Sequence, residues 1–227
     1  MKIIQYIGAL LTVSVLAIAC KKDNYEAPKS RLTGRVVYQG QALGVRSNGV
    51  ELELWQHGYA FFTKIPVFVN QDGTFSTLLF DGDYKLVRLR GSGPWVDNTD
   101  SIDVRVSGNT VVDVPVVPYF IIRNETFQKN GTTSVTANFN LQQVNTSQPL
   151  EKVKIYLGQT TIVDEVNNAS SAEKAAAAIT DLSQPISLTA NIPADIASKG
   201  YVYARVGVKA VGVGEVLYTQ PVKISLN

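Results

Sequence analysis

Apolar and polar positions alternate with a period of two along most of the chain, which predicts strands with one face turned to a core. In Val50-Glu51-Leu52-Glu53-Leu54-Trp55 the alternation is strict. Val50, Leu52 and Leu54 share one face, and Glu51, Glu53 and Trp55 share the other. Ile65, Val67 and Val69 alternate before Asn70-Gln71-Asp72-Gly73, a hairpin-type turn, and Phe75 to Phe80 follows. A second turn, Asp81-Gly82-Asp83, leads into Tyr84 to Leu89. Ile102, Val104 and Val106 alternate against Asp103 and Arg105, and Ser107-Gly108-Asn109 turns the chain into Thr110 to Val117. With Leu32 to Tyr38 these make about seven strands with no competing helical period, and residues 32–119 are expected to form a small β-sandwich. Pro115 has no N–H to give a ladder, so the last strand belongs at a sheet edge.

Val117-Pro118-Tyr119 is a natural break, because the residue before a proline is pushed to an extended conformation. Strand runs resume at Phe120 to Arg123, Ser134 to Val144, Val153 to Leu157 and Ile186 to Ile192. Two longer runs, Tyr201 to Val211 and Glu215 to Leu226, flank a tight hairpin at Gly212-Val213-Gly214. One stretch departs from the pattern. Ser170 and Glu173 have capping-box spacing and Lys174 to Ile179 is alanine-rich, which predicts a helix over 170–180. About ten helical residues are marginal alone, so either the helix docks on the sandwich or the stretch is a loop with fractional helix.

The N-terminus follows a different rule. Met1-Lys2 is a positive start, Ile3 to Ala19 holds no charge, and Ala19 precedes Cys20, the single cysteine. These are the parts of an export signal, and the run is short for a membrane span of about 20 residues. Leu16-Ala17-Ile18-Ala19-Cys20 resembles a bacterial lipobox, which implies removal of residues 1–19 and lipidation of Cys20. Residues 20–31 are polar, contain Pro28 and read as a lipidated tether, roughly 35 Å long if fully extended. No disulfide is then available to the mature chain, so its domains must hold by apolar burial.

Net charge is +2, Lys2 being the one charge in residues 1–19, and the mature chain falls to +1. With no basic stripe, this excludes an electrostatic footprint for nucleic acid. His57 is the only histidine and sits in a Gln-His-Gly loop without a nucleophile motif, so it reads as a solvated side chain. No metal site is expected, for want of a second histidine or cysteine. Asp72, Asp81 and Asp83 read as turn aspartates without calcium-loop spacing. Glu51 and Glu53, about 7 Å apart on one strand face, read as a solvated pair and not as a catalytic one. No enzyme activity and no cofactor are expected.

Aromatic placement suggests a ligand. Trp55 lies on the glutamate face, Tyr59, Phe61 and Phe62 follow in the next loop, and Trp95 lies in Gly91-Ser92-Gly93-Pro94-Trp95. Exposed rings beside carboxylates are what a saccharide needs, its C–H faces stacking while polar groups take its hydroxyls. The competing arrangement packs Trp55 on the neighbouring domain and uses Trp95 to plug one end of the sandwich.

Leu32-Thr33-Gly34-Arg35-Val36, Gly49-Val50-Glu51-Leu52, Gln71-Asp72-Gly73-Thr74-Phe75 and Gly82-Asp83-Tyr84-Lys85-Leu86, in that order, resemble the carboxypeptidase-regulatory, transthyretin-like domain. Tyr201-Val202-Tyr203-Ala204-Arg205-Val206 through Tyr218-Thr219-Gln220-Pro221-Val222 resembles the last two strands of fibronectin type III and related immunoglobulin-like sandwiches. Phe80 to Leu86 and Gly93-Pro94-Trp95, with the lipobox, make the whole chain similar to a family of two-domain Bacteroidetes lipoproteins encoded beside outer-membrane glycan importers. The resemblance implies two tandem all-β sandwiches, over 32–119 and 120–227. It also implies a place at the outer membrane, facing the cell surface. The expected function is non-catalytic binding of a poly- or oligosaccharide, with an importer as partner. The alternative is an assembly module that scaffolds such an importer or an adhesin.

Overall fold

The computed structural model describes residues 26–58 and 62–227. Cys20, the export segment, Tyr59 and Phe61 lie outside the described residues.

The first domain contains β1 (Ser30–Tyr38), β2 (Gln41–Ala42), β3 (Glu51–Trp55), β4 (Ile65–Phe68), β5 (Thr74–Leu79), β6 (Gly82–Arg88), β7 (Ile102–Val106), β8 (Asn109–Val111) and β9 (Val114–Pro115). Strand β1 is the spine of one sheet: β5 and β2 pair with it antiparallel, and β8 and β9 pair with it parallel. The second sheet is antiparallel in the order β4-β3-β6-β7. Leu32, Val36 and Phe75 of the first sheet are buried in one core with Leu52, Leu54, Leu86 and Val104 of the second. These are the inward members of the alternating runs, and their burial is the main favourable term for a sheet pair without disulfides. The run Thr110 to Val117 is broken into β8 and β9, with Arg35 pairing with Asp113 at the break (2.5 Å). Pro115 sits in β9, whose one strand partner among the described residues is β1, as suits a residue without an N–H. Gly73 closes the Asn70 turn at φ +86, a conformation that costs a glycine nothing.

The second domain contains β10 (Phe120–Asn130), β11 (Ser134–Gln143), β12 (Leu150–Gly158), β13 (Ser170–Ala175), β14 (Ile186–Asn191), β15 (Tyr201–Ala210), β16 (Leu217–Tyr218) and β17 (Val222–Ser225). One sheet runs β10-β11-β14; the other runs β13-β12-β15, with β16 and β17 along the far side of β15. Val135, Ala137 and Phe139 are buried with Val153, Ile155, Val202 and Val206 between them. Strand β10 extends well past Arg123, through an irregularity between Arg123 and Thr126 where Asn124 takes φ +54.

The expected helix over 170–180 is not formed. Ser170–Ala175 is strand β13, followed by a single 3-10 turn at Ala176–Ala178. Six residues of β13 pair with β12, from Leu157↔Ser170 to Lys152↔Ala175, and a short helix cannot compete with a ready-made ladder. Ser170 caps nothing: its hydroxyl donates to the Asn191 carbonyl (2.6 Å). Glu173, in place of a capping role, reaches Lys152 and Lys154. The short helix of this domain is α1 (Ala194–Ala197), between β14 and β15.

The domains meet on the outer face of β15. Tyr218 N–H donates to the Gly44 carbonyl, and Arg46 pairs with Glu215 (2.6 Å). Arg205 is fully buried at this joint. Its guanidinium donates to the Thr219 and Val163 carbonyls of its own domain and to the Val45 and Gln71 carbonyls of the first. The ring of Tyr218 lies 4.4 Å beneath it. Burial pulls the Arg205 guanidinium down to about 10, so it remains charged at neutral pH.

Candidate functional site

The joint contacts Gly44, Val45 and Gln71, so one end of the first domain abuts the second. The opposite end is marked by the register pairs Ser30↔Leu79 and Gly82↔Val106, and by Trp55 at the end of β3. Here the outward faces of three neighbouring strands place Trp55 beside Lys85, Lys85 beside Asp103 and Asp83 beside Arg105. Lys85 and Asp103 form an ion pair, and Arg105 lies 3.8 Å from Asp83. A cleft of about 850 Å³ opens at this end, lined by Gln56, His57, Asp83, Lys85, Asp103 and Arg105 among others.

An aromatic cluster borders the cleft. The Phe62 ring centroid is 5.0 Å from that of Trp55 and 4.7 Å from that of His57. Phe62 is 49% exposed, so the cluster offers an apolar face to solvent. Trp55 is held in place by its indole N–H, which donates to Glu53 (3.1 Å). Lys64 in turn donates to Glu53 (2.8 Å) and Glu51 (3.0 Å), and the two carboxylates hold its ammonium above the usual lysine range.

Two expectations change here. Glu53 is only 9% exposed, so the glutamate pair is not a freely solvated face; it is a lysine-bridged support beneath the tryptophan. Trp95, a candidate stacking residue in the sequence, is 4% exposed. It lies at the other end of the domain, paired with Pro118 through a β-bridge and packed so tightly on Gly93 that a Cβ there would sit 2.2 Å from its ring. The plug arrangement is the observed one, because the Gly-Pro loop folds inward over the end of the core. Trp55, Phe62 and His57 come together, Glu51 and Glu53 support them, and Trp95 is remote. The sequence marks Asp83 only as a turn aspartate and gives no site signal at Lys64, Lys85, Asp103 or Arg105. Alternation puts each on an outward face, but their adjacency is a matter of cross-strand register. Among the described residues no group of His, Cys, Asp or Glu is arranged to hold a metal ion.

Asp81 closes the rim. It accepts hydrogen bonds from the Ser30 hydroxyl and the Gly108 N–H, which hold its carboxyl below the ordinary 3.8. A depressed folded-state value contributes stability above the unfolded aspartate value that is lost as pH falls through the folded one. Asp81→Asn should therefore flatten the fall in urea midpoint below about pH 4 relative to the parent chain. An unchanged acid slope would show that this contact does not couple to folding.

Family models match the chain over most of its length. The N-terminal domain model of DUF3823, a protein family of unknown function, matches residues 30–117, and the DUF3823 C-terminal domain model matches residues 120–223. The chain belongs to the DUF3823 family. A solved DUF3823 structure from Bacteroides ovatus is 42% identical, with a TM-score of 0.80, over 88% of this chain and 100% of the other. One from Parabacteroides merdae is 39% identical with the same TM-score and coverage. A structure from Bacteroides uniformis named as a candidate carbohydrate-binding protein is 20% identical, with a TM-score of 0.70, over 88% of this chain and all of that one. At that identity the likeness shows the fold alone. No curated protein matches the chain in sequence. This DUF3823 protein has, among its described residues, no helix long and apolar enough to cross a membrane.

Proposed function

We propose that this DUF3823 protein is a lipid-anchored, non-catalytic saccharide-binding protein of the outer membrane whose site is the Trp55 end of the first domain. The observation that carries the reading is the half-buried Trp55 stacked with exposed Phe62 and His57, with His57 lining the cleft that also holds the Lys85–Asp103 and Asp83–Arg105 pairs. A ring face takes the C–H face of a sugar, while paired charges present donors and acceptors to its hydroxyls without demanding a charged ligand. Lys64 bridging Glu51 and Glu53 favours a fixed support for the tryptophan over an acid–base pair. A Bacteroides uniformis protein of the same fold is named as a candidate carbohydrate-binding protein, which is in keeping with this reading. Anchorage is supported by Leu16 to Cys20, and the outer-membrane importer is the partner such a capture protein would serve.

Isothermal titration against a panel of oligosaccharides tests the site. Trp55→Ala should weaken the best ligand at least about tenfold, the equivalent of about 1.4 kcal/mol, whereas Trp95→Phe should leave it unchanged. A panel without any ligand, or equal affinity in the Trp55 variant, would overturn the reading.

A further inference from the structure

The chain enters the first domain at Ser30, and Ser30 belongs to the site end. Its hydroxyl donates to the Asp81 carboxylate, Asp81 lines the cleft, and its register partner Leu79 precedes the half-exposed Phe80. The second domain packs at the opposite end, around Gly44, Val45 and Gln71. The joint is buried and hydrogen-bonded through Arg205, so the two ends are not exchanged by a domain swing. Between Cys20 and Ser30 the chain can span at most roughly 35 Å.

We infer that the site works at the membrane plane: anchored through Cys20, the molecule turns its Trp55 cleft toward the bilayer and its second domain away, so that the ligand is a saccharide chain lying along the membrane surface. This rests on the lipid-anchored saccharide reading above and narrows it. A single linear chain enters the gap from the side, whereas a bulky branched polymer is held off by the bilayer. Tether length, which the fold does not constrain, then becomes a determinant of which ligands are admitted.

The two tryptophans stand at opposite ends of the first domain and make the orientation measurable. The lipidated full chain is reconstituted in phosphatidylcholine vesicles carrying a headgroup-attached energy acceptor, with Trp95→Phe leaving Trp55 as donor and Trp55→Phe leaving Trp95. Transfer from Trp55 should exceed transfer from Trp95, and a ten-residue Gly-Ser insertion after Lys22 should reduce the Trp55 signal. On the same vesicles the insertion should raise affinity for a branched polysaccharide severalfold and leave a short linear oligosaccharide unchanged. Transfer from Trp95 equal to or above that from Trp55 overturns the orientation while leaving the binding site intact. A blue shift of Trp55 on vesicles without saccharide overturns the ligand, because the rings are then seated in lipid. Failure to associate with vesicles overturns the anchor and this inference with it, and failure to bind sugar in detergent micelles overturns the binding reading separately.

Discussion

Replacing Arg205 by methionine should destabilise the protein by about 3–5 kcal/mol and split a single unfolding transition into two. The side chain is fully buried and supplies hydrogen bonds to four carbonyl oxygens, two in each domain. Methionine fills part of the volume but takes the guanidinium donors from the Thr219, Val163 and Val45 carbonyls, at about 1–3 kcal/mol for each that water cannot reach, while the Gln71 carbonyl keeps the Val45 N–H. Relief of the desolvation that lowers the Arg205 guanidinium offsets part of this loss. Lysine should recover only a fraction, since an ammonium cannot spread donors across the plane that the guanidinium covers. Both tryptophans, Trp55 and Trp95, belong to the first domain, whereas far-ultraviolet circular dichroism reports both domains. Urea curves from the two probes should coincide for the parent and separate for Arg205→Met. Coincident curves with an unchanged midpoint would remove Arg205 as the element that couples the domains.

The second large effect is expected at Gly34. This residue lies in the middle of β1, the spine of the first sheet, and a Cβ built on it would stand 1.8 Å from the Val112 carbonyl oxygen and 2.6 Å from the Phe75 ring. Neither neighbour can yield cheaply: Val112 N–H is bonded to the Thr33 carbonyl, and Phe75 is buried in the core. Gly34→Ala should therefore cost about 3 kcal/mol, at the upper end of what an extra methyl in a packed interior does. The tryptophan-reported midpoint should fall accordingly. Gly214→Ala is the matched control, because nothing lies within 4 Å of its added Cβ. The unfolded-chain effect of adding a methyl is stabilising at both positions, so a fall confined to Gly34→Ala reports the clash, and equal midpoints in the two variants would remove it.

These two positions show where sequence reading stops. In sequence, Arg205 alternates with Tyr201 and Tyr203 against Val202, Ala204 and Val206, and nothing local marks it out; the first domain and the Val163 segment cover that face and turn its arginine into a joint. The Ser170 stretch carries helix signals, yet its fate is decided by β12, more than a dozen residues earlier, offering an open ladder edge. Strand β10 is longer than expected because its second half is polar and exposed, leaving little alternation to read. Where one face is covered and the other open, as at Ile102–Val106 and Ile186–Asn191, alternation identifies the strand and the side each residue faces.

For the site the division is the same. Alternation by itself determined that Glu51, Glu53 and Trp55 share one strand face and that the chain is all-β, and the single cysteine determined that no disulfide joins its strands. Side-chain direction along a strand is a local property with a period of two, so the chain can write it down. Tertiary structure alone decided that Lys64 bridges the glutamates, that Lys85 stands beside Trp55 and Asp103 beside Lys85, and that Trp95 turns inward. It also decided that Ser30 and the cleft occupy one end of the domain while Arg205 closes the other. Those facts depend on register between distant strands and on what covers each face, and a strand's own sequence carries neither.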